Sequence, residues 1–302
     1  MRFFKLALPV LLAIALTGCG TTPIQSAGNS TVAKLDVVTS ISPLADMIRN
    51  VGGNKVQVTP LVKPGNDPHD YEPTPEDVRT VAGAAIFFAN GLGEEPYLNK
   101  LVQNAGSPKL KVVTLSDGLA ILGQGTNGSG LGNPHLWLDV QNAKNYVLKI
   151  RNNLSLLLPQ DADYFNANAA AYIIKLDALD KLVRSQVDTI PPANRKMVVF
   201  HNAWPYFAAR YGLQDKAVVQ NPEGEPSAQQ YADLIDYIKS EHIKAVFGEA
   251  GFNPKLVKQL AQDTGVKFVD NLYDDTVAPS GPINSYIAMM QYDAKIIAAA
   301  LK

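Results

Sequence analysis

Short apolar runs alternate with amphipathic stretches along this 302-residue chain, and the alternation occurs in both halves. The apolar runs predict strands at 35–41, 56–62, 84–89, 111–115, 197–200, 217–220, 245–248 and 266–270. The amphipathic stretches predict helices that begin near residues 42, 74, 97, 227, 254 and 283. Because strands and helices alternate, each half is expected to form a mostly parallel sheet covered by helices on both faces.

Individual residues mark where several of these helices begin and end. Ser42 and Thr74 are predicted N-caps, since each precedes a proline at the first helical position. Ser227 has Gln230 three residues later, which is the pattern of a capping box. Gly265 follows the helix over 254–264 and is expected to stop it.

One long helical pattern joins the two halves. Apolar residues recur at three- and four-residue steps from 165 to 190, with a proline before the pattern and two after it. About 30 residues at 1.5 Å each make a helix of roughly 45 Å, longer than one lobe is wide. The fold class is therefore α/β, with two lobes joined by a single rigid helix that limits their relative movement. The predicted lobes and linker are residues 35–158, 193–302 and 159–192, respectively.

The N-terminus has the pattern of a secretion signal. Arg2 and Lys5 precede an apolar run over 6–16, which is too short to span a bilayer as a stable helix. The run ends in Leu-Thr-Gly-Cys, which resembles a bacterial lipobox and predicts cleavage before Cys19 and lipidation of its thiol. Residues 1–18 are thus a predicted lipoprotein signal peptide and residues 19–34 a flexible tether. The mature protein is expected outside the cytoplasm, anchored to a membrane.

Composition excludes a nucleic-acid-binding protein and a protein stabilised by disulfides. Removal of residues 1–18 takes away two of the 27 basic residues and none of the 28 acidic ones, so the net charge changes from −1 to about −3. Without a basic patch or charge run, nucleic acid is not an expected partner. Cys19 is the single cysteine, so no disulfide forms within the chain, and its size suffices to bury a core without one.

Three of the four histidines occupy similar places in the predicted fold. His69 lies in a proline-bounded loop, His135 follows a glycine-rich loop, and His201 directly follows the strand at 197–200. Loops and strand ends of this kind carry the ligand sites of open α/β sheets. His242 lies near the end of an exposed helix and is expected to be solvated. The first three histidines together predict a metal site.

A carboxylate near the last strand is the expected fourth ligand. Asp274 and Asp275 follow the strand at 266–270, and in an extended segment only one of them faces the cleft. Three imidazoles and one carboxylate suit Zn²⁺, whereas Mn²⁺ generally prefers more oxygen. Four protein ligands leave no open position for a reacting water, which favours carrying the metal over using it in catalysis.

Further carboxylates are expected to orient the ligands. Glu249 ends the strand at 245–248, where it either accepts a hydrogen bond from a ligand histidine or caps the next turn. Asp70 and Asp139 are weaker candidates for the same task, and Asp139 alternatively caps the helix that follows it.

The motifs around these residues resemble those of a known family. They are Pro68-His69-Asp70-Tyr71-Glu72-Pro73, Asn133-Pro134-His135-Leu136-Trp137-Leu138-Asp139 and the stretch from Tyr273 to Met290. With the linking helix, they are similar to the cluster A-I metal-binding lipoproteins of ABC importers, the zinc and manganese receptors. The resemblance implies metal ligands at His69, His135, His201 and Asp275, Asp275 being preferred over Asp274. It also implies a monomer that delivers its metal to a membrane permease.

The resemblance favours zinc as the bound metal but leaves other metals and other functions as alternatives. Many zinc receptors of the family have histidine at the place of His201, where manganese receptors tend to have glutamate. The stretch over 123–130, however, lacks the histidines and acidic residues found there in many zinc receptors. A Mn²⁺ or Fe²⁺ receptor is the first alternative. A metallohydrolase is disfavoured because no His-Glu-x-x-His or Gly-x-Ser-x-Gly motif is present, and an adhesin because no adhesive module is recognised.

Overall fold

The structure is a computed structural model that describes residues 1, 3, 33–123, 130–220 and 224–302. Most of the predicted signal peptide, Cys19 and most of the tether lie outside the described residues, as does most of the glycine-rich loop. The strands are β1 (Leu35–Thr39), β2 (Val56–Pro60), β3 (Ile86–Ala89), β4 (Lys111–Thr114), β5 (Lys196–His201), β6 (Gln214–Val219), β7 (Ala245–Glu249) and β8 (Lys267–Leu272). The helices are α1 (Ser42–Gly52), α2 (Pro75–Gly83), α3 (Leu98–Ala105), α4 (Val140–Leu157), α5 (Ala162–Val187), α6 (Pro205–Tyr211), α7 (Ala228–Ser240), α8 (Lys255–Thr264) and α9 (Tyr286–Leu301).

The described strands form two four-stranded parallel sheets, which confirms the predicted fold class. The strand orders are β2-β1-β3-β4 and β6-β5-β7-β8. The central strands are apolar on both faces; every residue of β3 is buried, for example, as expected for a parallel sheet covered by helices. The turn after β3 and the end of β5 line one cavity, so the carboxyl ends of both sheets face the same cleft.

The linking helix α5 joins the lobes through one continuous core. It has 26 residues, which corresponds to about 39 Å. It is shorter than predicted because residues Pro159–Asp161 form a separate 3-10 turn. Its buried residues, such as Leu176 and Val183, belong to an apolar cluster that also contains Ile48 and Phe247, one from each lobe. The lobes therefore share packed side chains along this helix, as well as a covalent connection.

Two of the predicted N-caps are confirmed and one is wrong. Thr74 and Ser227 each form a complete capping box, with Asp77 and Gln230. The hydroxyl of Ser42 caps no helix: it accepts a hydrogen bond from Val277 N (3.0 Å) and lies 3.2 Å from Thr276 Oγ1. Ser42 thus bridges to the segment after β8, and this long-range contact has no counterpart in the local sequence.

Within the described part of the chain, none of the helices combines the length and the apolar character needed to cross a bilayer.

Candidate metal centre

Four side chains from four separate segments meet between the two sheets. His201 is the last residue of β5, and Asp275 follows the end of β8 by three residues. His69 and His135 come from loops of the N-terminal lobe. One ligand atom from each of these four residues lies within 4.8 Å of all the others. The structure thus brings together the three histidines predicted from the sequence and the aspartate that the resemblance implied.

Asp275 lies at the centre of this cluster. Its Oδ2 is 3.1 Å from His69 Nε2, and its Oδ1 is 3.4 Å from His135 Nε2. The Nε2 atoms of His135 and His201 are 3.2 Å apart. All three imidazoles therefore direct Nε2 toward the same small volume, which is the geometry of a shared ligand site. Asp275 and His201 are each 1% exposed, so water has little access to these atoms.

Hydrogen bonds within the N-terminal lobe hold its two histidines. Asn133 Oδ1 lies 3.0 Å from His135 Nδ1 and accepts a hydrogen bond from the His135 backbone N–H. Since this amide oxygen can only accept, Nδ1 carries the proton and Nε2 presents its lone pair to the cluster. The backbone N–H of His69 donates to Asp67 Oδ1 at 2.7 Å, which fixes the turn that carries the imidazole.

Glu249 contacts the Nδ1 side of the His201 ring, opposite the Nε2 that faces the cluster. Its Oε2 is 2.5 Å from His201 Nδ1 and accepts from the His201 backbone N–H, while its Oε1 accepts from Trp204 Nε1 at 2.9 Å. The register between β7 and β8 shifts near Glu249 because β8 has one extra residue, and such bulges re-aim nearby side chains. Of the two functions considered for Glu249, the geometry shows the hydrogen bond with His201.

The electrostatics of the cluster suit cation binding. Burial lowers the pKa of His135 to about 3, so this imidazole is neutral. Burial alone would raise the pKa of Asp275, but the three imidazoles around it outweigh burial and hold its pKa below the ordinary value. Burial likewise lowers the pKa of His201, but the Glu249 carboxylate outweighs it and the net direction is upward. The neutral His135 and the ionised Asp275 are in the states that metals bind, whereas a proton on His201 must leave when a metal binds.

The structure places the two weaker candidates, Asp70 and Asp139, away from the predicted role of orienting a histidine. Asp70 is exposed, and the carboxylate that bonds the His69 backbone is that of its neighbour Asp67. The turn from Pro68 to Tyr71 directs Asp70 outward, because the Tyr71 N–H donates back to the Pro68 carbonyl. Asp139 caps α4 by accepting from Gln141 N at 2.8 Å, which was the second of its two interpretations. His242 is exposed, as expected.

The structure adds residues that the sequence analysis missed. Asn90 follows β3, and its amide donates to the carbonyl of Pro134, next to His135, at 2.8 Å. Glu95 accepts from the backbone N–H groups of Asn90 and Gly91. Glu94 is buried beside the same cleft. The available signal was the run Asn-Gly-Leu-Gly-Glu-Glu directly after an apolar strand, which marks a tight turn at the ligand-binding edge of the sheet.

Contacts between the lobes surround the cluster. Trp137 Nε1, two residues after His135, donates to the Asp274 carbonyl at 2.7 Å. The hydroxyl of Tyr286 donates to the Trp137 carbonyl at 2.6 Å. On the other side, the Gly65 N–H donates to Thr276 Oγ1 at 2.7 Å. The segments that carry the clustered residues from opposite lobes are therefore bonded directly to one another.

These features define a two-lobe binding protein with a buried set of potential metal ligands in its cleft. A family model described as the periplasmic component A of a zinc-uptake complex matches residues 37–300. The chain belongs to this family.

Individual proteins that are similar to this chain are named for different metals. The chain is 34% identical to the manganese-binding lipoprotein MntA of Halalkalibacterium halodurans over 97% of this chain and 96% of that protein. It is 31% identical to the iron ABC transporter substrate-binding lipoprotein MtsA of Streptococcus pyogenes serotype M1, over 97% and 96%. The Mn-bound structure of a periplasmic metal-binding protein from Candidatus Liberibacter asiaticus is 28% identical; it aligns with a TM-score of 0.81 over 89% of this chain and 100% of that one.

Proposed function

We propose that this chain is the substrate-binding lipoprotein of an ABC importer, which binds one divalent transition-metal ion between its lobes and delivers it to the permease. The observation that carries the proposal is the convergence of His69, His135, His201 and Asp275, whose ligand atoms lie within 4.8 Å of one another. Family membership and the names of the relatives support the transport role.

Zn²⁺ is the leading cargo. Three imidazole nitrogens and one carboxylate oxygen match the four-coordinate N/O sets that bind zinc. Mn²⁺ or Fe²⁺ is the second candidate, favoured by the names of two relatives. Asp275 also supports it, since both of its oxygens face imidazoles and can bind one cation together.

We infer carriage of the metal rather than catalysis. On Zn²⁺, four protein ligands fill a tetrahedral shell and leave no place for an activated water, which hydrolytic zinc sites keep open. The family name and the relatives' names, which describe uptake and substrate binding, are consistent with this.

We further propose that a lipid on Cys19 anchors the mature protein, as a monomer, at the extracytoplasmic face of a membrane. The support is the sequence pattern over 16–19 and the lipoprotein names of the relatives. The permease is the expected protein partner.

Metal binding should couple the lobes. His69 and His135 belong to the N-terminal lobe, whereas His201 and Asp275 belong to the C-terminal lobe. An ion that binds all four stabilises the folded protein by mass action, by about 2.7 kcal/mol when its free concentration is 100 times Kd.

The test is a pair of titrations. The mature protein is stripped with a chelator and titrated with Zn²⁺ and with Mn²⁺ by calorimetry, and its melting temperature is measured in EDTA and in excess metal. We expect one tight site per chain and a clear rise in melting temperature. Binding of neither metal, or equal melting temperatures, would contradict the proposal; tight Mn²⁺ binding without Zn²⁺ binding would reverse the order of cargoes.

A further inference from the structure

Two adjacent glutamates beside the cleft differ in their hydrogen bonding. Glu95 is 7% exposed, and its carboxylate accepts from Asn90 N at 2.7 Å and from Gly91 N at 3.0 Å. Glu94 is 3% exposed, yet neither of its carboxylate oxygens has a hydrogen-bond partner in the described parts of the chain. Buried carboxylates are normally paired or bound to a metal, so Glu94 lacks the compensation that Glu95 has.

Glu94 shares a cavity with the ligand histidines. A cleft of about 530 Å³ is lined by His69, His135 and His201 together with Glu94. Burial, and then the negative charge of Asp275, raises the pKa of Glu94 well above its ordinary value, so the two carboxylates act on each other across the cleft. Glu94 therefore lies beside the four-residue cluster, outside the 4.8 Å set but within its electrostatic field.

The backbone before Glu94 is held in an unusual conformation. Gly91, Leu92 and Gly93 have φ values of +91°, +59° and +87°. A Cβ on Gly91 would lie 2.4 Å from Thr114 Cγ2, so this turn requires glycine there. Leu92 adopts the left-handed region, which costs energy for a residue with a branched side chain. Such conformations persist where the surrounding structure imposes them, often at ligand sites, and this one carries Glu94 into the cleft.

We propose that Glu94 supplies a further oxygen to the bound cation, directly after a side-chain rotation or through one water, and so lets the site accept Mn²⁺ as well as Zn²⁺. The inference rests on the proposed function. Zn²⁺ is satisfied by the four donors of the cluster, whereas Mn²⁺ prefers more ligands and more oxygen. Glu94 is the carboxylate in the cleft that has no partner in the described chain and can provide that oxygen.

Glu94→Gln tests this through the ratio of two affinities. We expect the variant to bind Mn²⁺ at least about 10-fold more weakly, while its Zn²⁺ affinity changes by less than about 3-fold. Glu76→Gln is the matched control, because Glu76 is an exposed carboxylate on α2 that pairs with Arg79. It should leave both affinities unchanged. Glu94→Leu should show the same selective loss and provides a second variant should the glutamine protein fail to fold.

Cobalt spectroscopy reports the coordination number directly. We expect Co²⁺ in the wild-type protein to show the weak visible bands of five- or six-coordination, and Glu94→Gln to give the intense bands of four-coordination. A four-coordinate spectrum in the wild type, or unchanged affinities in both Glu94 variants, would overturn the inference. So would an equal loss for Zn²⁺ and Mn²⁺. If the wild type binds neither metal, the proposed function fails as well, which distinguishes that result from all the others.

Discussion

The two lobes have the same strand order but present their ligands in different ways. In the C-terminal lobe, His201 is the last residue of β5, Glu249 is the last residue of β7, and Asp275 closely follows β8. In the N-terminal lobe, His69 and His135 lie in loops well beyond β2 and β4. One half of the site is therefore part of a sheet edge, and the other half depends on loop conformation.

The difference in burial concerns His69, since His135 is as buried as the C-terminal residues and its ring contacts Asn133. The side chains of His201 and Asp275 are each 1% exposed, whereas that of His69 is 21% exposed. Glu249 hydrogen-bonds the His201 ring itself, while Asp67 accepts a hydrogen bond from the backbone N–H of His69. We infer that the C-terminal half of the site is preformed and that the His69 loop is the part able to adjust around the ion. Three predictions probe this contrast, from the largest effect to the smallest.

The largest effect is expected when a preformed ligand is removed. His201→Ala should weaken binding of both Zn²⁺ and Mn²⁺ by more than about 100-fold, because loss of an orienting partner alone typically costs 10- to 100-fold. Competition with a chelating dye of known affinity measures the change. His242→Ala is the control, since His242 is exposed and remote in sequence from the four ligands.

A comparison of His69→Ala with His201→Ala in the same assay tests the contrast between the two halves of the site. Removal of a ligand on an adjustable loop should reduce metal affinity less than removal of a ligand on the sheet edge. If removal of His69 proves the more damaging of the two, the preformed half has been assigned to the wrong lobe.

An intermediate effect is expected from substitution of the carboxylates that accept hydrogen bonds from the ligand histidines. Glu249→Gln should weaken metal binding by about 10- to 100-fold, since the ring of His201 loses its charged acceptor. Asp67→Asn should cost less than about 5-fold, because Asp67 holds a backbone N–H and not an imidazole. Calorimetric titration of both variants gives the two values. Equal losses would show that the two halves are organised to the same degree.

Much of the fold and most of the candidate site could be predicted from the sequence. Alternating apolar runs and local caps predicted the parallel sheets, and histidines at strand ends and in rigid loops predicted the cluster. The helix after Asp139 was expected only as an alternative role for that residue and was given no bounds, although the pattern of α4 was present: Val140, Ala143, Val147, Ile150 and Leu154 are buried at three- and four-residue steps. That omission concerns the interpretation of the pattern rather than a lack of signal.

Other features depend on contacts that no local pattern encodes. Ser42 has the local sequence of a cap but bonds a segment more than 230 residues away. Asp67 and Asp70 are equally plausible in a loop, and only the direction of the turn decides between them. Glu94 was missed because charged residues are rarely buried, so an adjacent glutamate pair is normally expected to be solvated.

The smallest effect is expected at a place that connects the lobes but lies outside the ligand cluster. Asp180 on α5 accepts hydrogen bonds from Arg210 Nη2 at 2.6 Å and from the Tyr211 hydroxyl at 3.0 Å, both on α6. Asp180→Asn should lower the free energy of unfolding at pH 7 by about 1 kcal/mol, allowing for solvent screening of a partly buried pair. Metal affinity should change by less than about 3-fold, since no ligand moves.

The pH dependence of that loss separates an ion pair from simple packing. Burial would raise the pKa of Asp180, but the hydrogen bonds from Arg210 and Tyr211 outweigh it and lower the pKa. A lowered folded-state pKa means that the stabilisation is complete above the ordinary carboxyl range and is lost as the pH falls through the folded value. Urea unfolding in EDTA should therefore show a gap between wild type and Asp180→Asn that is largest near pH 7 and shrinks below about pH 4. A gap that stays constant with pH would attribute the effect to packing, and a fall in metal affinity would extend the preformed half of the site into the linking helix.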